Sequence, residues 1–140
     1  MTRYLYSLSD RLTMTDSLAS GMITWFDLTA ENADEVREFY EAVAGWTSKP
    51  VSMGDYADYN MHVDGSEDPV AGVCHARGPN EGIPSQWMMY IRVDDLDLRL
   101  EACVSHGGGV VHGPLESGGG RIAIIRDPAG AVCALYEELV

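Results

Sequence analysis

The chain has 140 residues, with 22 Asp and Glu against 9 Lys and Arg, for a formal net charge of −13. Lys49 is the one lysine and the arginines are scattered, so no basic surface for a polyanion can assemble; nucleic acid and anionic membranes are excluded as expected partners. Apolar residues make up 46% and charged residues 22%, the balance of one globular domain or of two small modules sharing a core.

Apolar runs stay near five residues, against the roughly 20 of a membrane-spanning helix. The N-terminus has no signal-peptide-like apolar stretch, so the expected location is the cytoplasm. Cys74, Cys103 and Cys133 form no CxxC pair and sit among apolar neighbours. They read as small buried hydrophobes with reduced thiols.

Residues 1–21 read as an arm, either frayed or clasping a second copy, with Leu5, Leu8 and Leu12 spaced for one face of a short helix. Met22 to Leu28 (MITWFDL) reads as a strand. Ala33 to Ala44 carries the i, i+3, i+4 apolar spacing of an amphipathic helix. Asn32 and Glu35 suggest a capping box at its start, and Gly45 a stop at its end. Residues 47–76 break into short extended pieces with turn signals at Met53-Gly54-Asp55 and Asp64-Gly65-Ser66.

The same order then recurs. Gln86 to Val93 (QWMMYIRV) reads as a strand. Leu96, Leu100, Cys103 and Val104 form a second helical stripe, with Asp94 or Asp95 at its N-terminus. Gly107-Gly108-Gly109 stops it, and residues 110–113, 121–126 and 131–137 are strand-like. Trp25 falls opposite Met88 in this repeat, and Gly45 opposite Gly107. The expected organisation is an arm (1–21), a first βαβββ module (22–76), a linker (77–85, RGPNEGIPS) and a second βαβββ module (86–140). A module of about 60 residues has a marginal core, so pairing two is physically sensible.

Three motifs carry a resemblance: ITWFDL with REFYEAVAGW at 37–46, YIRVDDLD at 90–97, and GRIAIIRDPAGAVCALYE at 120–137. The sequence resembles the vicinal oxygen chelate superfamily, which includes glyoxalase I, extradiol dioxygenases and bleomycin-resistance binding proteins. The resemblance implies an α+β fold: two tandem βαβββ modules forming a curved, U-shaped mixed sheet with helices outside. It also implies a homodimer. In the metal-dependent members each module supplies one ligand from its first strand and one from its last. Those positions fall here on Trp25, Met88, Ala134 and Gly72 or Val73. None is a competent ligand, so no metal and no cofactor are expected. His62, His75, His106 and His112 remain as donors for a relocated site, although Cys74 and His75 would point to opposite faces of a strand.

Period-two alternation extends the reading. If Trp25 faces the cleft, so does Asp27; the same parity selects Met88, Tyr90 and Arg92, and Tyr136 beside Ala134. The expected ligand-binding set is Trp25, Asp27, Met88, Tyr90, Arg92 and Tyr136, with His75. Aromatic walls with a few polar groups suit a small, partly aromatic or apolar molecule. Asp27 is the candidate catalytic residue. It could be a general base, be paired with Arg92, or point to solvent. Three readings stay open: a metal-free binding protein; an enzyme of lyase, isomerase or dioxygenase type using Asp27 or a relocated metal; and a structural dimer with a filled cleft.

Overall fold

A computed structural model describes residues 19–139. The expected arm lies almost wholly outside the described residues. Residues 26–87 form one compact unit, and residues 19–25 with 88–139 form another.

The first unit runs from Phe26 within β1 (Ile23–Ala30) through α1 (Ala33–Ala44) to β2 (Thr47–Ser52), β3 (Ala57–His62), β4 (Pro69–His75) and Trp87. Its strands lie in the order β2-β3-β4-β1, with β1 and β4 parallel and the other pairs antiparallel. The second unit holds β5 (Trp87–Arg92) from Met88 onward, α2 (Leu96–Ser105), β6 (Gly109–Ser117), β7 (Gly120–Arg126) and β8 (Val132–Glu138). Its order is β5-β8-β7-β6, with β5 and β8 parallel. The approach to β1 pairs with the end of β5: Gly21 N–H donates to Arg92 O at 2.6 Å, and Arg92 N–H to Met22 O at 2.8 Å. Each half is thus a β-α-β-β-β run, and the chain is α+β with mixed strand pairing, as the repeat implied.

The helices begin differently. Asn32 precedes α1 but makes no side-chain cap bond, so the capping box does not form. Its φ of −103° and ψ of 48° are not the extended geometry that aims a cap side chain at the first turn; only its carbonyl engages, accepting from Val36 N–H at 3.1 Å. Gly45 closes α1 at φ 71°, the left-handed exit that favours glycine. At α2, Asp95 is extended and its carboxylate accepts from Leu98 N–H at 3.1 Å. The Glu137 carboxylate accepts from Leu96 N–H at 2.6 Å, so a second orphan donor of the first turn is satisfied from β8.

Each helix covers one sheet face. Against α1 lie Met61, Ala71 and Val73, joined by Val36, Tyr40 and Tyr59. Against α2 lie Ala123 and Leu135, with Ile91 and Ile125. This packing assigns parity. Leu28 pairs with Val73 and shares the α1 side, so Asp27 and Thr29 point away from it. Ile91 pairs with Leu135, so Tyr90 and Arg92 point away from α2, as do their partners Ala134 and Tyr136. No helix among the described residues is long and apolar enough to cross a membrane. Cys74 is buried, Cys103 and Cys133 are half-buried, and no disulfide joins any of them.

Candidate functional site

In the second unit the face turned from α2 carries Met88, Tyr90, Ala134, Tyr136, Ile122 and Ile124, each no more than 1% exposed. Trp25, at the start of β1, is 2% exposed. Five of the expected residues, Trp25, Met88, Tyr90, Arg92 and Tyr136, therefore belong to this one unit. The face is apolar and aromatic, with two polar exceptions. The Tyr136 hydroxyl and the Arg92 Nε are buried and have no hydrogen-bond partner among the described residues. Arg92 and Tyr136 are register partners across β5 and β8. Burial pushes the Tyr136 phenol up to about 12; Glu138 adds to the rise and Arg92 opposes it. At neutral pH the hydroxyl is therefore a protonated donor. Two unsatisfied donors on adjacent strands, amid ring surface, suit an oxygen acceptor on a flat molecule.

In the first unit the face turned from α1 is polar. Asp27 and Thr29 are each 1% exposed, and Asp58 and His62 each 3%. Thr29 Oγ1 and both ring nitrogens of His62 have no hydrogen-bond partner among the described residues. Register places Asp27 beside Gly72 and Thr29 beside Cys74. Asp27 is thus on the face turned from α1. Thr29 follows from the same alternation. His62 shares this face. It ends β3 beside an irregularity: Met61 pairs with Ala71 but His62 with Pro69, which leaves Val70 as the extra residue.

His75 stands elsewhere. It shares parity with Val73, and its Nε2 lies 3.6 Å from Oδ1 of Asp34 on α1. Its Nδ1 lies 3.3 Å from Asp58 Oδ1, which also accepts from the His75 backbone N–H at 2.8 Å. Its ring meets Tyr56 edge-on at 5.5 Å and Tyr59 at 6.3 Å. The Tyr59 hydroxyl donates to Asp34 at 2.5 Å, and that bond, with burial, pushes the Tyr59 phenol up. His75 is therefore part of a carboxylate and tyrosine network that reaches Asp34 on α1 and Asp58 on β3.

At the positions to which the resemblance assigns the family's ligands, the residues do not fit a divalent cation. Trp25, Met88, Ala134 and Gly72 or Val73 offer no side-chain donor of the kind such an ion needs. Among the described residues no group of three His, Cys, Asp or Glu could hold a metal. His106 is exposed and His112 half-buried.

Comparison with known proteins settles the family. The profile of the Glyoxalase/Bleomycin resistance protein/Dioxygenase superfamily matches residues 22–135. The chain belongs to this superfamily. Among curated relatives, the candidate glyoxylase CFP32 of Mycobacterium tuberculosis is 34% identical over 119 residues, which cover 84% of this chain and 44% of that protein. The anthracycline biosynthesis protein DnrV of Streptomyces peucetius is 32% identical over 136 residues, covering 86% of this chain and 48% of that protein. The chain spans about half the length of these curated relatives. Methylmalonyl-CoA epimerase from Mycobacterium tuberculosis superposes with a TM-score of 0.50 at 21% identity, covering 88% of this chain and 93% of that one. A variant of Streptomyces coelicolor methylmalonyl-CoA epimerase in complex with 2-nitronate-propionyl-CoA gives 0.50 at 14%, covering 87% and 100%. At these identities the likeness to both superfamily structures is one of fold.

Proposed function

We propose that this superfamily member binds a small, partly aromatic molecule without a metal, using Trp25, Met88, Tyr90, Arg92 and Tyr136. The observation that carries the reading is the Tyr136 hydroxyl, which is buried, protonated at neutral pH and without a partner among the described residues, in register with an arginine whose Nε likewise has none there. An unsatisfied buried donor costs about 1–3 kcal/mol, and a ligand oxygen would recover that cost on binding. The name of DnrV supports the same ligand class: an anthracycline is a fused-ring quinone, with flat ring surface and carbonyl acceptors. Trp25, Met88, Tyr90 and Tyr136 are each at most 2% exposed, so entry to their face waits on an opening step, which would slow association. Homodimerisation and a cytoplasmic location belong to the same proposal.

The test uses protein stripped with EDTA and titrated with a hydroxylated anthraquinone by calorimetry. Binding is expected without added metal, and Tyr136→Phe is expected to weaken it about 5–10-fold, the worth of one hydrogen bond. Binding that needs a divalent ion, or that Tyr136→Phe leaves unchanged, would refute the proposal. The acid–base alternative rests on the buried carboxylate of Asp27. It predicts that Asp27→Asn abolishes turnover of any substrate found while sparing its binding.

A further inference from the structure

A second recess lies in the first unit, on the α1 side of the sheet. Phe26, Trp46, Val70, Ala71 and Trp87 line a cavity of about 280 Å³. The Trp46 and Trp87 rings stand at 87° with centroids 5.9 Å apart. Tyr40 holds this corner from behind. It stacks on Trp46 at 5.7 Å, and its hydroxyl accepts from Trp87 Nε1–H at 2.8 Å. The indoles are thus fixed before anything binds. Phe26 forms a third wall and is 45% exposed, and Val70 is 39% exposed.

The surroundings are acidic. Val70 is two residues from Asp68, and Trp46 precedes Thr47, which pairs with His62, two residues from Asp64. The β3–β4 turn, which leads into Val70 of the lining, carries Asp64, Glu67 and Asp68, and Lys49 pairs with Glu67 at 3.3 Å. Three carboxylates against one lysine, on a chain of net charge −13, favour a cation. Aromatic faces attract a cation directly, and more strongly when it is only weakly hydrated. The recess sits at the small end of ligand pockets, which run from roughly 300 to 1,000 Å³, so the occupant has one or two rings.

We propose that this corner binds a small organic cation of the N-alkylated heteroaromatic class. Indole faces supply the contact and the β3–β4 turn supplies the field.

The probe is N-methylquinolinium, titrated by calorimetry at pH 8, with neutral quinoline as its isostere. The cation is expected to bind at least about 10-fold more tightly than quinoline, with an advantage that shrinks as salt rises. Asp64→Asn with Asp68→Asn should weaken it several-fold, and Tyr136→Phe should leave it unchanged. Trp87→Leu should abolish binding but also removes a buried partner of Tyr40. Phe26→Leu, at a half-exposed ring, is therefore the decisive variant, with an expected loss of at least about threefold. Equal binding of cation and quinoline, or an unchanged affinity in Phe26→Leu, would overturn the proposal. So would a dimer that Phe26→Ser splits while no cation binds; that result would give the face to a second copy of the chain.

Discussion

Tyr136→Phe separates a binding group from a packing group by the sign of its effect. The ring is fully buried, and phenylalanine keeps its shape and loses one oxygen. A tyrosine whose hydroxyl is satisfied loses about 1 kcal/mol in this exchange. Here the hydroxyl has no partner among the described residues, so its removal ends a desolvation penalty of about 1–3 kcal/mol. The unliganded protein is expected to become more stable by about 1 kcal/mol, a rise of roughly 3 °C in Tm for a chain of this size. Urea unfolding measures the change, with an unaltered m-value confirming that the same surface is exposed in both proteins. The same variant should bind the anthraquinone more weakly. Stability gained where affinity is lost marks a group held in reserve for a ligand. A loss of stability of 0.5 kcal/mol or more, on the order of half a hydrogen bond, would refute the reasoning, because it would mean the hydroxyl is already satisfied.

The alkaline limb should follow from the same residue. Tyr136 is pushed up to about 12 in the fold, against about 10 when unfolded. The folded state therefore holds its proton longer. Its contribution is complete below pH 10 and is lost as pH rises towards 12, a loss that Tyr136→Phe should reduce in pH-dependent unfolding. The two helix starts should differ: Asp95→Ala removes a bond to Leu98 N–H and should cost about 1 kcal/mol, whereas Asn32→Ala removes no cap bond and should cost about half that or less. Gly120→Ala should destabilise by about 1–3 kcal/mol. Its new Cβ would lie 2.5 Å from Glu137 O and 2.9 Å from Tyr136 Cζ, and neither a strand carbonyl nor a fully buried ring can give way. A Gly120→Ala chain as stable as the parent would show that the ring has room to move.

The legible features were those written in local pattern. The α1 span, Ala33–Ala44, matches its apolar spacing, and Gly45 ends it as expected. Alternation could be counted along β5 and β8, where Tyr90 pairs with Ala134 and Arg92 with Tyr136 in unbroken register. Where local pattern was weak, reading failed. Residues 47–76 form three short strands, and the bulge at Val70 shifts the register. The sequence marked neither the span of β3 nor that of β4, so there was no strand start from which to count the parities of His62 and His75. Asn32 shows a different failure: its residue type favoured a cap, but its backbone angles did not allow one.

By itself the sequence determined the β-α-β-β-β order, its repetition and the superfamily, since each depends on local spacing and motif. Only the tertiary structure decided which polar groups have partners. That Tyr136 Oη finds no partner among the described residues is visible only in the fold; that His75 joins Asp34 and Asp58, and that Trp46 meets Trp87 at close to a right angle, are contacts between residues distant along the chain. Periodicity tells which way a side chain points along its strand, and hydrogen bonds and ring contacts depend on what the fold brings opposite it.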